Sequence, residues 1–172
     1  MRNDEADFEL MVRWRNQPHV REWWDPDAPP LTLDGARAEY EPELRPSAST
    51  RACIIEHAGR PIGYVQFYPW AAETEELRQL DVTVPDGSWG LDLFIGDPDA
   101  VGRGIGPAVV DLMCRHVFET EGSTDVVLWA AKDNHRALRA YEKAGLRRVG
   151  EVLDTDTKNG ERVWSWVLRR AG

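Results

Sequence analysis

Apolar and polar positions follow a helical period in the first quarter of the chain. Over residues 5–16 the apolar side chains recur every three or four positions, which predicts an amphipathic helix. A second, shorter helix is expected over 19–24, where the proline-rich segment 25–30 breaks it. Thr32 can cap a third helix that reaches about Leu44. Three helices are therefore predicted before the first strand.

From residue 51 the period becomes two, as expected for strands with one buried face. Segments 51–58 and 61–70 flank Gly59-Arg60 and predict a β-hairpin, and the acidic stretch 71–82 that follows shows no clear period. The remaining predicted elements are a strand over 88–96, a helix from the glycine-rich segment to about Glu121, a strand over 125–131, a helix over 134–144, and two strands around the turn "DTKNGE". The pattern predicts a mixed α/β sheet in a single domain over residues 1–172, without repeats.

Composition limits the classes of function. The 172 residues carry a formal net charge of −9, which disfavours nucleic acid and anionic membranes as partners and favours a cationic small molecule. Alternatively, the excess acid serves only solubility. The chain has no apolar run long enough to predict a membrane span and no apolar N-terminal signal segment, so the cytoplasm is the expected location. Cys53 and Cys114 lie among apolar neighbours and are interpreted as buried thiols.

The segment "DAVGRGIGPAVV" places Gly102, Gly104 and Gly106 between a predicted strand and a predicted helix. Their spacing fits neither the dinucleotide fingerprint nor the nucleoside-triphosphate loop. Glycines let successive backbone N–H groups converge on an anion, and the following helix adds its positive N-terminal end. Pro107 suits the first turn of that helix. A pyrophosphate is the expected ligand, and a turn without a ligand is the alternative.

Together with "NHRALRAYEKAGL", this loop resembles the GCN5-related N-acetyltransferase superfamily. The resemblance implies a mostly antiparallel sheet flanked by helices, with acetyl-coenzyme A as cosubstrate. It also implies that Asn134 contacts this cofactor and that Tyr141 protonates the leaving thiolate. The superfamily loop usually begins with Gln or Arg, whereas this chain has Val101. The residues expected at the cofactor are Phe94, Ile95, Gly102, Arg103, Gly104, Ile105, Gly106, Pro107, Asn134 and Tyr141.

A closer resemblance, to the aminoglycoside 6′-N-acetyltransferases, covers nearly the whole chain through "LMVRWRNQPHVREWWD", "GRPIGYVQFY" and "GLDLFIGDPDAVGRGIG". It implies that Asp92 acts as the base at the substrate amine. It further implies that Trp24 and Tyr40 line the antibiotic pocket and that Asp156 binds an ammonium group. Where that family has other acidic or aromatic contacts, this chain has Trp129, Leu77 and Leu80, and the candidate replacements are Glu75, Glu76, Asp81 and Asp86.

The chemistry of acetyl transfer to an amine points to Asp92 without the family. An alkylammonium cannot attack a thioester, so the enzyme must bind the cation and accept its proton. Asp92 lies in an apolar strand, where a carboxylate is costly to bury unless it faces a cleft or a partner. The alternative is that Asp92 caps a bulge or pairs with Arg147 or Arg148. A backbone N–H near Ile95 can polarise the thioester carbonyl.

Tryptophans and histidines supply the remaining candidates. Trp23 or Trp24, beside Asp25, can give a sugar ring an apolar face and its amines a charge. The histidines show no metal-ligand spacing and are interpreted as surface or capping residues; they are His19, His57, His116 and His135. No metal is expected, and the expected assembly is a monomer or a weak homodimer.

Three functions remain open from the sequence. The first is N-acetylation of an aminoglycoside. The second is acetyl transfer from the same cofactor to a protein N-terminus or to a hydroxylysine siderophore precursor. The third is a module that binds coenzyme A without turnover, which the presence of Asp92 and Tyr141 disfavours. An acidic cluster around the pocket favours the first function, and a groove open to an extended peptide favours the second.

Overall fold

A β-sheet forms the centre of the molecule. The computed structural model describes the backbone of residues 1–80 and 82–172, and the side chains of these residues except those at 79, 80 and 155–157. Within this part of the chain, six strands pair in the order β1-β2-β3-β4-β6-β5. They are β1 (Arg51–His57), β2 (Arg60–Pro69), β3 (Ser88–Ile95), β4 (Asp125–Ala131), β5 (Arg147–Lys158) and β6 (Glu161–Ala171). Neighbouring strands are antiparallel except β3 and β4, so the predicted mixed, mostly antiparallel sheet is confirmed.

Helices flank this sheet, and polar side chains fix where several of them begin. They are α1 (Glu5–Arg15), α2 (Pro18–Arg21), α3 (Leu33–Tyr40), α4 (Thr74–Leu80), α5 (Ile105–Thr120) and α6 (His135–Lys143). The side chains of Asp4, Thr32 and Asn134 precede α1, α3 and α6, and each accepts a hydrogen bond from a backbone N–H in the first turn. The predicted cap at Thr32 is confirmed.

The structure corrects three element predictions. α2 ends at Arg21 rather than at residue 24. α3 ends at Tyr40 rather than near Leu44, because Pro42 has no N–H to continue the helix, and a 3-10 turn occupies Pro42–Leu44 instead. Part of the acidic stretch without a clear period folds as α4, whose first turn contains acidic residues that the helix dipole favours.

The parallel strands β3 and β4 separate soon after they begin to pair. Ser88 pairs with Asp125 and Trp89 with Val126, and no further register pair joins the other residues of these strands, all of which are described. The facing edges therefore carry N–H and C=O groups that a neighbouring strand would otherwise bind. The sheet opens towards the carboxyl ends of both strands.

The two-residue period of the strands sorts their side chains between two cores. Tyr64 and Phe94 pack with side chains of α1 and α3, whereas Val65 and Leu91 pack with side chains of α5 and α6. Asp92, two residues before Phe94, shares the α1 and α3 face of the strand. A carboxylate on this face therefore lies where the sheet opens.

Predictions about individual side chains have mixed outcomes. Cys114 is buried as predicted, but Cys53 is only partly buried, because β1 is an edge strand. Trp14 is 2% exposed in the core, whereas Trp164 is 53% exposed on β6. Among the described residues, no helix is long and apolar enough to cross a membrane.

Candidate active site

A cleft of about 720 Å³ occupies the opening between β3 and β4. Its walls come from the ends of these strands, the glycine loop over 101–107, α6, and the segment 19–26. These segments are far apart in the sequence, so the fold alone brings them together. We call the wall formed by the glycine loop and α6 the cofactor side, and the wall formed by 19–26 and the carboxylates described below the acceptor side.

The glycine loop leads into α5 on the cofactor side. Gly102 and Gly104 have positive φ angles of 79° and 78°, a conformation that residues with a Cβ rarely adopt. A Cβ at either position would meet nothing within 4 Å beyond its chain neighbours, so open space lies in front of the loop. Gly106 and Pro107 line the cleft in the first turn of α5. The loop therefore fits an anion held by backbone N–H groups at a helix N-terminus.

Two residues predicted at the cofactor lie elsewhere. Arg103 is exposed and does not line the cleft, because the turns at the flanking glycines direct it outward. Ile105 is partly buried against the α5 core and is also outside the lining. Phe94 and Ile95 do line the cleft, as the strand order requires.

Helix α6 contributes a polar cap, a tyrosine and three cations to the cleft. The Oδ1 atom of Asn134 accepts a hydrogen bond from the N–H of Ala137 at 3.0 Å, which fixes the cap at the cleft wall. Tyr141 is 8% exposed and lines the cleft. The three lining cations, which sequence reasoning missed, are Arg136, Arg139 and Lys143. Their spacing of three and four residues along one helix was the signal that could have identified them.

Asp92 lies at the opening of the sheet, partly buried in the cleft lining. Its cross-strand partner is Gln66, whose Nε2 donates a hydrogen bond to Asp92 Oδ2 at 2.9 Å. The nearby Tyr68 hydroxyl also lowers the pKa of this carboxylate. Arg148 pairs with Glu142 at 2.9 Å rather than with Asp92, so the alternative pairing is not formed by that arginine. Asp92 thus combines a neutral hydrogen-bond donor with access to the cleft.

Burial sets the protonation of the two residues predicted to be catalytic. Burial raises the pKa of Asp92, and the nearby carboxylates of Asp154 and Glu73 raise it further, while Gln66 and Tyr68 lower it. Burial, and then the charge of Asp92, raise the pKa of the Tyr141 hydroxyl. The tyrosine therefore keeps its proton at neutral pH and can donate it, whereas the aspartate is a stronger base than an exposed one.

On the acceptor side, the structure brings only some of the predicted residues to the cleft. Trp23, Trp24 and Asp25 line the cleft. Tyr40 does not: it is 1% exposed in the core, and its hydroxyl accepts a hydrogen bond from Arg15 behind the wall. The prediction that Tyr40 lines the pocket is therefore wrong, because α3 packs its tyrosine against α1 and away from the cleft.

Several carboxylates line the cleft that sequence reasoning missed. They are Glu22, Glu43, Glu73 and Asp154. Glu43 accepts a hydrogen bond from the Tyr64 hydroxyl at 3.3 Å, and burial raises its pKa, with further contributions from neighbouring carboxylates. No local spacing marks these residues, since they come from a 3-10 turn, a loop and an edge strand that meet only in the fold.

The acidic residues predicted as replacements divide into three groups. Glu76 lines the cleft. Glu75 pairs with Arg78 at 2.6 Å on the surface, and Asp86 lies in the loop before β3, so neither lines the cleft. Asp81 and the side chains of Leu80 and Asp156 lie outside the described residues.

Trp129 gives the acceptor side an aromatic surface. Its ring stacks on that of Trp70 with 4.6 Å between the centroids, and both rings line the cleft. The Nε1 of Trp70 donates a hydrogen bond to the carbonyl of Val127 at 2.9 Å, which fixes the pair. Leu77 packs in the cluster behind them. The acceptor side therefore offers flat apolar surface beside its carboxylates.

His19 differs from the sequence interpretation. It lines the cleft, and its Nε2 donates a hydrogen bond to the carbonyl of Ile95 at 2.9 Å. Arg136 in turn donates to the His19 carbonyl at 3.1 Å, joining α6 to the segment after α1. Among the described residues, no group of three or more His, Cys, Asp or Glu side chains is arranged to hold a metal ion.

Comparison with known proteins agrees with this geometry. Residues 3–153 match the family model described as an acetyltransferase (GNAT) domain. The chain is 29% identical to an aminoglycoside N(6′)-acetyltransferase type 1 of Klebsiella pneumoniae, across 97% of this chain and 81% of that protein. It is 31% identical to a lysine N-acyltransferase of Mycolicibacterium paratuberculosis, across 89% of this chain and 66% of that protein.

A solved structure of AAC(6′)-Ib in complex with ribostamycin and coenzyme A has the same fold. The TM-score is 0.83 at 27% identity, covering 97% of this chain and 89% of that one. The family model spans most of the chain. The chain therefore belongs to the GNAT family and is an acetyl-coenzyme A-dependent N-acetyltransferase.

Proposed function

We propose that the protein transfers the acetyl group of acetyl-coenzyme A to the 6′-amine of an aminoglycoside. The observation that carries the proposal is that Asp92 shares one cleft with the glycine loop and with a group of carboxylates and tryptophans. A substrate with several ammonium groups on sugar rings matches both kinds of side chain. The name of the Klebsiella pneumoniae relative supports the same acceptor.

The cofactor side holds the anionic end of the cosubstrate. Backbone N–H groups of Gly102, Gly104 and Gly106 bind the pyrophosphate, and the amino end of α5 adds its positive partial charge. Asn134 contacts the cofactor from the α6 cap. The cations on α6 attract its phosphates through the cleft.

The end of β3 supplies the donor for the thioester oxygen. The N–H of Gly96 donates to the carbonyl of Ile62 in β2, so the N–H of the preceding residue, Ile95, points the opposite way, towards the opening. His19 already binds the carbonyl of Ile95 on that side. The Ile95 N–H stabilises negative charge that develops on the carbonyl oxygen.

Asp92 and Tyr141 handle the two protons of the reaction. Asp92 first binds the substrate ammonium and then accepts its proton, directly or through a water molecule. The neutral amine nitrogen bonds to the acetyl carbon, the carbon–sulfur bond breaks, and Tyr141 gives its proton to the sulfur. The bonded nitrogen then loses its second proton, which restores the Tyr141 hydroxyl directly or through water, and Asp92 releases its proton to solvent. The raised pKa of Asp92 makes its carboxylate a stronger base, and the raised pKa of Tyr141 keeps its hydroxyl protonated until the thiolate leaves.

The rest of the acceptor wall selects the substrate. Trp24 and Trp129 give the sugar rings apolar faces, and Glu43, Asp154 and Glu73 bind further ammonium groups. Asp25, beside Trp24, lines the same wall, and the family resemblance assigns an ammonium contact to Asp156. The proposal includes a cytoplasmic reaction by a monomer or weak homodimer, with no nucleic-acid or membrane partner.

An acceptor panel tests the proposal. Purified protein and acetyl-coenzyme A are incubated with an aminoglycoside that has a 6′-amine and with its counterpart that has a 6′-hydroxyl. Mass spectrometry should find one added acetyl group on the first and none on the second, because only an amine is N-acetylated. Acetylation of both, or of neither by protein that binds coenzyme A in calorimetry, contradicts the proposal.

A second acceptor belongs in the same panel because of a specific relative. The Mycolicibacterium paratuberculosis protein is named a lysine N-acyltransferase, and this chain spans 66% of its length. N-hydroxylysine and a peptide with a free N-terminus are therefore added. A kcat/KM at least tenfold higher for either one than for the aminoglycoside would move acetylation of that acceptor to first place.

A further inference from the structure

Arg15 is a buried cation directly behind the acceptor side. Its side chain is 6% exposed, although arginine is rarely buried unless it is paired. Its guanidinium donates to the carboxylate of Asp25 at 2.5 Å, to that of Glu39 at 2.6 Å, and to the hydroxyl of Tyr40. The side chain thus ties α1 to α3 and to the segment that follows α2.

Trp24 and Asp25, which line the cleft, both contact this cation. The guanidinium carbon lies 5.5 Å from the centroid of the Trp24 ring, within range of a cation–π interaction. On another side, the ring meets Phe94 edge-on with 5.0 Å between the centroids. Asp25 has a φ of 49°, a left-handed conformation that is uncommon for a residue with a Cβ. The ion pair holds this backbone turn in place.

We propose that Arg15 is a positioning residue for the acceptor: it fixes the Trp24 ring as a wall of the cleft and pairs with Asp25. The inference rests on the proposed function, because the acceptor roles of Trp24 and Asp25 belong to it.

Substitutions at Arg15 separate positioning from simple folding. Arg15→Met keeps an unbranched stem and removes the guanidinium, and Arg15→Lys keeps a charge that cannot form the same forked contacts. Removing one partner of a buried ion pair destabilises a protein, so the triple variant Arg15→Met/Asp25→Asn/Glu39→Gln removes the uncompensated carboxylates as well. Arg37→Met is the matched control, because Arg37 also pairs with carboxylates of α1 and α3 but does not line the cleft or touch Trp24.

Steady-state kinetics give the first readout. In Arg15→Met and in the triple variant, the KM for the aminoglycoside should rise about fivefold or more, while kcat and the KM for acetyl-coenzyme A change less than about twofold. Arg37→Met should leave all three constants unchanged. Combining Arg15→Met with Trp24→Ala should raise KM no further than Trp24→Ala alone, because both changes act on the same ring.

Fluorine NMR gives a readout that does not depend on the acceptor. Protein labelled with 5-fluorotryptophan allows the Trp24 resonance to be assigned by its absence in Trp24→Phe. This resonance should shift in Arg15→Met and in the triple variant but not in Arg37→Met. An unchanged Trp24 resonance overturns the proposal whatever the substrate is. A shifted resonance with an unchanged KM for the acceptor overturns the claim that Arg15 acts on acceptor binding.

The two readouts also separate this inference from the proposed function. If the wild-type protein acetylates no aminoglycoside but the Trp24 resonance shifts in the Arg15 variants, the proposed acceptor is wrong and the positioning of Trp24 stands. If the wild-type protein is active and neither readout changes, the proposed function stands and the role of Arg15 is wrong.

Discussion

The two sides of the cleft are built by different means. On the cofactor side, main-chain geometry forms the site: Gly102 and Gly104 adopt positive φ angles, and α5 begins directly after them. On the acceptor side, side chains from separate segments form the site, with Asp92 on β3 and Glu43 on a 3-10 turn. The first design is local in the sequence, and the second exists only in the folded chain.

The cofactor side and the acceptor side of the cleft also differ in charge. The cations that line the cleft include Arg139 and Lys143 on α6, which face an anionic cofactor, whereas the carboxylates gather on the acceptor side. Because backbone N–H groups bind the pyrophosphate, the backbone conformation of the glycine loop can change little without loss of binding. Side chains on the acceptor side can be exchanged singly, which lets relatives with one fold differ in their substrates.

Asp92→Asn should cause the largest loss of activity and should not affect cofactor binding. The amide keeps the size of the carboxylate and can still accept the hydrogen bond from Gln66, but it cannot accept the amine proton. Turnover should fall about a hundredfold or more. Calorimetry should show unchanged binding of coenzyme A. A variant with wild-type turnover towards every acceptor would make Asp92 a structural residue.

Gly106→Leu should break the cofactor side instead. A Cβ here would lie 3.9 Å from the Cβ of Ala140 and would have no other neighbour within 4 Å, so alanine fits but a larger side chain must enter the cleft. We expect the Kd for coenzyme A to rise about tenfold or more, equivalent to roughly 1.4 kcal/mol. Gly106→Ala is the control and should bind normally. Gly104 is less suitable because its φ of 78° strains any larger residue.

Trp129→Ala should have a smaller effect, on the acceptor alone. The change removes the ring that stacks on Trp70 and with it an apolar face for a sugar ring. The KM for the aminoglycoside should rise about threefold to tenfold with kcat nearly unchanged. Trp164→Ala, at an exposed tryptophan outside the cleft, should leave KM as it is. Equal effects of the two variants would argue against a platform at Trp129.

Tyr68→Phe and Asp154→Asn should shift the pH profile of kcat/KM in opposite directions. These shifts are the smallest of the expected effects. The deprotonated form of Asp92 is active, so kcat/KM falls as the pH decreases through its pKa. Removing the Tyr68 hydroxyl raises that pKa and moves the acidic limb to higher pH. Removing the Asp154 charge lowers the pKa and moves the limb to lower pH. If the acidic limbs of the two variants shift in the same direction, or do not shift, the pH dependence of kcat/KM arises from a group other than Asp92.

The parts of the cofactor side are local in the sequence, and the family resemblance supplied the expected roles of Asn134 and Tyr141. The glycine loop, the cap at Asn134 and the position of Tyr141 on α6 all depend on neighbours within a few residues. The strand periodicity likewise placed Asp92 in an apolar strand at the start of the loop. Such features are fixed by backbone conformation and capping, which short segments encode by themselves.

Residues predicted for the acceptor side lie at the cleft where their position is set locally and lie elsewhere where packing between helices decides it. Trp24 and Asp25 follow a short helix and reach the cleft as expected. Tyr40 shares its helix face with core residues, so its aromatic ring packs against α1 and behind the wall. Glu43 was missed because it reaches the cleft through a hydrogen bond to Tyr64 in another element.

The sequence by itself determined the elements, the glycine loop and the candidate base, because helix, strand and turn preferences act over a few residues. Only the tertiary structure decided that β3 and β4 part after two paired residues and that distant carboxylates meet at this opening. It also decided that Arg15 would be buried against Asp25. Each of these depends on contacts between segments far apart in the chain, whose geometry no local period records.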